Sequence, residues 1–150
     1  MILPNSSGLN LKHARTLEQI TLMQKIIDDG VCPFCKEYFA KYHPKPILKE
    51  TAYWFFTDNM SPYKGTRHHF IFVYKPTHIT KPGEMLPEAL TDLFSLVNWA
   101  VIEYNILGGS FFMRFGDTHY TGSSVEHLHA HLLMGDVDAP EHEAVRVKLG

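Results

Sequence analysis

The chain lacks most features that would settle its class at a glance. Only two of its 150 residues are cysteine, too few for the disulfide framework of a small secreted domain. No segment approaches the ~20 apolar residues of a membrane-spanning helix. No basic run is present and the formal net charge is −2, which disfavours a broad nucleic-acid-binding surface. A small phosphate ligand needs only a few local donors and stays open. No internal repeat or low-complexity tract is visible. The opening residues Met1-Ile2-Leu3-Pro4-Asn5-Ser6-Ser7-Gly8 have neither the positive n-region nor the apolar run of a signal peptide. The expectation is a cytoplasmic protein without membrane or nucleic-acid polymer among its partners. The length fits a single domain over 1–150, with 1–8 as an N-terminal arm and 138–150 as a polar, flexible C-terminal tail.

Histidine, by contrast, is plentiful, with ten in the chain. Three alternate with apolar residues in His127-Leu128-His129-Ala130-His131-Leu132-Leu133. Period-two alternation predicts a half-buried strand, with the three imidazoles about 6.6–6.8 Å apart on one face. Leu128, Ala130 and Leu132 then point into a core. An ordinary strand would show Thr, Lys or Glu on its open face. Imidazole serves near neutral pH as metal ligand, nucleophile or proton carrier. Gly122-Ser123-Ser124, just upstream, supplies a turn with hydroxyl donors.

Upstream, Leu9 to about Asp29 reads as a helix ended by Gly30. Cys32-Pro33-Phe34-Cys35 follows. A two-residue gap lets both thiolates turn toward one ion, giving half of a zinc site. A thioredoxin-like redox pair would sit where a strand enters a helix, and that pattern is missing; two unligated buried cysteines are the alternative. With no second Cys-x-x-Cys, histidines must complete any tetrahedral set. Ile47 to Thr57 reads as one or two strands, Asp58 to Gly65 as a loop, and His68 to Lys75 as the returning strand of an antiparallel hairpin. Alternation puts His68 and His69 on opposite faces, so only one can face a pocket. Glu88 to about Asn105 is the second helix, with Pro87 in its first turn. Ser110 to Gly116 should be a strand paired with the histidine strand. The long connection from Asp117 to Glu126 reads as a functional loop, with His119 and Tyr120 in solvent.

The pattern His-φ-His-φ-His-φ-φ, where φ is apolar, matches at all seven positions the motif of the histidine triad (HIT) family of nucleotide hydrolases and transferases. The chain resembles that family from Cys32 onward. The resemblance implies an α+β fold with an antiparallel sheet of about five strands, two main helices and a homodimer in which the sheets abut. It implies hydrolysis of a phosphoramidate or dinucleoside polyphosphate at the α-phosphate. His129 would be the nucleophile that forms a covalent nucleotidyl intermediate. His131 would bind phosphate oxygens and protonate the leaving group, and Ser124, with Ser123, would donate to the phosphate. Asn59 would hold the ribose and His69, or His68, would be the pocket histidine. Many relatives carry a carboxamide near Gly116; here Arg114 stands nearby, for contact with phosphate or for a surface ion pair. Zinc-containing bacterial members and the galactose-1-phosphate uridylyltransferase branch resemble the chain in a structural zinc set, here Cys32, Cys35, His78 and His127. The hexose-phosphate transferases carry Gln at the third triad place, so His131 favours hydrolysis or phosphorolysis. Two other readings compete: a non-catalytic nucleotide-binding protein, and an open metal site on the three histidines. A cupin-like site needs a Glu where Leu132, Leu133 and Met134 stand, which weighs against the last.

Overall fold

The computed structural model describes residues 8–150, so the N-terminal arm expected over 1–8 lies, apart from Gly8, outside the described residues. Five strands form one antiparallel sheet: β1 (Ile47–Glu50), β2 (Trp54–Asp58), β3 (Thr66–Tyr74), β4 (Ser110–Arg114) and β5 (His129–Gly135), in the order β1-β2-β3-β5-β4. The Ile47–Thr57 stretch thus holds two strands. The histidine strand is an interior one, with β3 on one side (Ile71 opposite His131) and the edge strand β4 on the other (Phe112 opposite His131).

The two faces of the sheet differ in chemistry. Phe70, Phe72 and Tyr74 of β3 alternate onto one face, joined by Leu128, Ala130 and Leu132 beside and within β5. A helix, α3 (Pro87–Glu103), covers that face with Ala89, Leu93, Leu96 and Ala100. Pro87 suits its first turn because the missing N–H would have no intrahelical partner there. Trp54 is fully buried, and its indole N–H donates to the Ala89 carbonyl at 2.9 Å, tying β2 to the helix. Each such side chain taken from water contributes roughly 1.5–3 kcal/mol, so this face is the main stabilising core. The opposite face carries Phe55, Ile71 and Val73 around Phe39, and then three buried histidines, His69, His129 and His131.

The N-terminal region differs from a single helix over Leu9 to Asp29. A 3-10 turn spans Leu11–His13, and α1 begins only at Leu17 (Leu17–Asp29). Thr16 is extended and its hydroxyl accepts the Gln19 N–H, a cap that starts a new helix there. Gly30, at φ 69°, ends it. Two short helices fall where none was expected: α2 (Lys36–Tyr42), and α4 (Thr118–Thr121) within the long loop. β5 begins at His129, so His127 precedes the strand instead of lying in it. The C-terminal segment runs back along its own subunit: Lys64 pairs with Glu143 at 3.0 Å, and Arg114 donates to the Lys148 carbonyl at 2.6 Å. Gly122, at φ 71°, permits this approach, since a Cβ there would lie 2.8 Å from the Lys148 oxygen. No helix among the described residues is long and apolar enough to cross a membrane.

Candidate active site and metal centre

The turn after α1 brings the cysteines together, with the Cys35 N–H donating to the Cys32 carbonyl at 3.3 Å. His78 arrives on the segment after β3, and His127 immediately before β5. Their four ligand atoms lie within 4.8 Å of one another. Cys32 Sγ is 3.5 Å and Cys35 Sγ 3.7 Å from His127 Nδ1; Cys35 Sγ is 3.6 Å from His78 Nδ1; the two Nδ1 atoms are 3.2 Å apart. Zinc–sulfur and zinc–nitrogen bonds of ordinary length give tetrahedral edges of about 3.3–3.6 Å, so the residues fit a zinc ion. His127 Nε2–H donates to the buried Tyr74 carbonyl at 2.6 Å, which fixes the tautomer and leaves Nδ1 bare among the sulfurs. Burial, foremost, pushes the Cys32 thiol up to about 12; a cation between the thiolates would offset that cost. An ion held there would meet four protein ligands and keep no open position, the arrangement of structural sites.

Two residues further along, the surroundings change. His129 Nδ1–H donates to the His127 carbonyl at 2.7 Å, so its Nε2 lone pair is unprotonated. Phe34 sets its edge against this ring at 5.0 Å. A second chain of bonds orders His131. The Tyr63 backbone N–H donates to His69 Nδ1 at 3.1 Å; His69 Nε2 is therefore the protonated nitrogen and donates to His131 Nδ1 at 2.9 Å. His131 then carries its proton on Nε2, which is buried and has no partner among the described residues. Burial is the leading cause in holding His129 down at about 4, His69 at about 3 and His131 well below the ordinary histidine value. All three are neutral at pH 7.

Both rings open onto a cleft of about 270 Å³ between the sheet, α1 and the C-terminal segment. Leu22, Met23, Ile26, Phe34 and Ile71 give it an apolar end, and Asn59, Ser124, His129, His131 and Arg114 a polar one. Asn59 accepts the Ser61 N–H at 2.8 Å, which turns its amide nitrogen to 3.1 Å from His69 Nε2, a contact of two donors in this tautomer and not a hydrogen bond. The Ser123 hydroxyl donates to the Val125 carbonyl at 2.7 Å, so its one proton is engaged within the turn. Ser124 lines the cleft without a side-chain partner among the described residues. His69, not His68, is on this side; His68 stacks on Phe70, 5.3 Å between centroids, on the apolar face. Arg114 is buried without a carboxylate partner, its donors going to the Thr121 and Lys148 carbonyls and the Tyr63 hydroxyl. Sequence reasoning missed Arg15, Tyr63 and His43, which also line the cleft. A Tyr in a polar loop and an Arg in a supposed helix carry no local pattern that marks them.

No family model and no curated protein matches the sequence. Solved structures do match. A HIT family hydrolase from Clostridium thermocellum is 22% identical over 70% of this chain and 91% of that one, with a TM-score of 0.55. A histidine triad nucleotide-binding protein from Candida albicans is 16% identical over 76% and 82%, also at 0.55. A zinc-bound histidine triad family protein from Mycobacterium smegmatis is 17% identical over 72% and 77%, at 0.52. At such identities the likeness speaks for the arrangement of elements, and with a five-stranded antiparallel sheet whose β5 carries His129 and His131 it establishes that this chain has the fold of the histidine triad family.

Proposed function

We propose that the protein is a nucleotide hydrolase acting at the α-phosphate through a nucleotidyl–His129 intermediate. The observation that carries this reading is the pair of opposed ring nitrogens in the cleft, an unprotonated His129 Nε2 next to a protonated, partnerless His131 Nε2. One is a nucleophile by its lone pair and the other a donor by its proton. A buried donor without an acceptor costs about 1–3 kcal/mol, and a phosphate oxygen would remove that cost. In the first step His129 Nε2 forms a bond to phosphorus, the bond from phosphorus to the leaving atom breaks, and that atom departs with the electron pair and takes any proton it needs from solvent water, while neutral His131 donates a hydrogen bond from Nε2 to a phosphate oxygen. Ser124 donates to a phosphate oxygen. In the second step water attacks phosphorus and releases a proton to solvent, the phosphorus–nitrogen bond breaks with its electron pair returning to His129 Nε2, and a nucleoside monophosphate leaves. Asn59 takes the ribose and the apolar end the base. Zinc, held by Cys32, Cys35, His78 and His127, would supply charge to the two thiolates and anchor the N-terminal segment to the sheet.

We further infer a homodimer. β4 has a free edge, and Leu86, Leu90 and Phe94 expose a stripe of α3 beside it, with Phe94 5.5 Å from Phe111 of β4. Sedimentation at micromolar concentration tests this. The activity is tested with adenosine phosphoramidate, diadenosine polyphosphates and adenylylsulfate, each with and without phosphate, alongside rapid-quench mass spectrometry of the protein. An adduct of one nucleotidyl group on His129 is expected. Turnover without an adduct, or turnover of none of the substrates, overturns the reading.

A further inference from the structure

We propose that Arg15 and Arg114 together seat a second anionic group beyond the α-phosphate, so that the preferred substrate is a phosphoanhydride whose leaving group is itself a phosphate chain. The inference rests on reading the cleft as a nucleotide site, and it names two residues and a leaving-group class. Its centre is Tyr63. The Arg15 guanidinium lies 4.4 Å over the Tyr63 ring and donates to the Ser61 carbonyl. Arg114 Nη2 donates to the Tyr63 hydroxyl at 2.8 Å. The same ring lies nearly parallel to His131, at 13° and 6.2 Å between centroids. One tyrosine thus holds two guanidiniums, over its face and at its hydroxyl, next to the imidazole that would meet the α-phosphate.

Neither charge is neutralised. The ion pairs among the described residues are Lys41–Asp29, Lys64–Glu143, Arg67 with Asp136 and Asp138, and Lys75–Glu50; none involves Arg15 or Arg114. The cleft is lined by no Asp or Glu, while Lys12, Arg146 and Lys148 add to its rim. This is a concentrated positive field in a chain whose net charge is −2. A structural arginine as buried as Arg114 ordinarily pairs with a carboxylate; here its hydrogen bonds go to two backbone carbonyls and a hydroxyl, which orient it but leave its charge. Arg15 and Arg114 repel each other, and both add to burial in lowering His69 and His131. A phosphate between them would remove that repulsion and accept the forked N–H donors. The α-phosphate is taken by His129, His131 and Ser124, so the arginines meet the next anion along. A neutral amine leaving group would leave them uncompensated.

The test is a ladder of anions that needs no turnover. Inorganic phosphate, pyrophosphate and tripolyphosphate are titrated calorimetrically into the zinc-loaded full chain, into Arg15→Ala and Arg114→Lys, and into Lys25→Ala, which removes the same charge from an exposed position outside the cleft. Tripolyphosphate is expected to bind about tenfold or more tighter than phosphate. Arg15→Ala should erase the difference and Lys25→Ala preserve it. Arg114→Lys keeps the charge without the fork, and should lose part of the gain. Equal affinity for the three anions, or equal losses in Arg15→Ala and Lys25→Ala, overturns the proposal. Failure of His129 to become nucleotidylated would refute the hydrolase reading and leave this ladder standing, whereas a flat ladder with an intact adduct refutes only the seat.

Discussion

His127 and His129 are two residues apart, both nearly buried, and each has one ring nitrogen locked on a backbone carbonyl. What differs is which nitrogen is locked. His127 donates from Nε2 to Tyr74 and turns Nδ1 toward Cys32, Cys35 and His78. His129 donates from Nδ1 to His127 and keeps Nε2 free at the cleft. One imidazole is thereby suited to close a metal site and the other to attack. The same residue type is prepared for two different jobs because the backbone carbonyl chooses the tautomer, and the tautomer decides where the lone pair points.

The sharpest way to break this division is to delete the lone pair at the cleft alone. His129→Asn should reduce turnover on the order of 10⁴-fold, as loss of a covalent nucleophile does. Zinc content and the unfolding midpoint should stay near those of the parent chain. Steady-state kinetics with metal analysis checks both at once, and parallel loss of metal and activity would merge the two sites into one. Cys32→Ser is the complementary change. It opens the metal shell, and since binding free energy of a structural ion is folding free energy, stability should drop by several kcal/mol. Urea unfolding with and without a chelator measures it. Turnover per folded molecule at low temperature should keep its order of magnitude, because none of Cys32, Cys35, His78 and His127 lines the cleft.

Much of this contrast is legible in the sequence. The alternation of His127 to Leu133 predicts a strand with two unlike faces, and the strand is there from His129 with Ala130 and Leu132 on the core side, while His127 and Leu128 stand before it. The Cys-x-x-Cys spacing marks two of the four residues that cluster as candidate metal ligands, because ligand spacing is a local property. Elements set by short capping signals were missed. Thr16, with Gln19 three residues on, splits the N-terminal segment, and Asp117 with Gly122 brackets one helical turn inside a loop. The choice between His68 and His69 was invisible because both faces of β3 are covered, one by α3 and one by the cleft. Arg15 and Tyr63 were illegible for a different reason: their placement is tertiary, set by contacts of Arg15 with Ser61 and Tyr63, and of Tyr63 with Arg114, across long stretches of sequence.

Acid separates the two sets by their charge. The Cys32, Cys35, His78 and His127 set is suited to a cation, whereas the cleft side depends on histidines that stay uncharged. His43, at the cleft wall, is stacked on Phe39 at 4.8 Å and bonded to the Thr57 hydroxyl at 3.0 Å. Burial, the leading cause, lowers it to about 4. Its folded value lies below its unfolded value, so between about pH 6.5 and 4 the unfolded chain binds a proton that the folded chain refuses. Its contribution is complete above that window and is lost as pH falls through it. His43→Gln should flatten the pH dependence of stability there by roughly 2 kcal/mol, allowing for solvent at its exposed edge. The quantity to measure is the difference between parent and variant in urea midpoints at pH 7 and pH 4.5, since zinc release is common to both and cancels.

The smallest perturbation changes no residue and reads the tautomers themselves. Long-range proton–nitrogen correlation spectra of the zinc-loaded chain should show His129 protonated at Nδ1 with a free Nε2, and His127 protonated at Nε2 with a metal-shifted Nδ1. His131 should match His127 in carrying its proton on Nε2 and differ in having no metal. Adding a nucleoside monophosphate should move the Nε2 resonances of His129 and His131 and leave His127 in place. A proton found on His129 Nε2 would turn its lone pair back into the strand, where no phosphorus can reach, and the difference between the two histidines on which the chemistry depends would be gone.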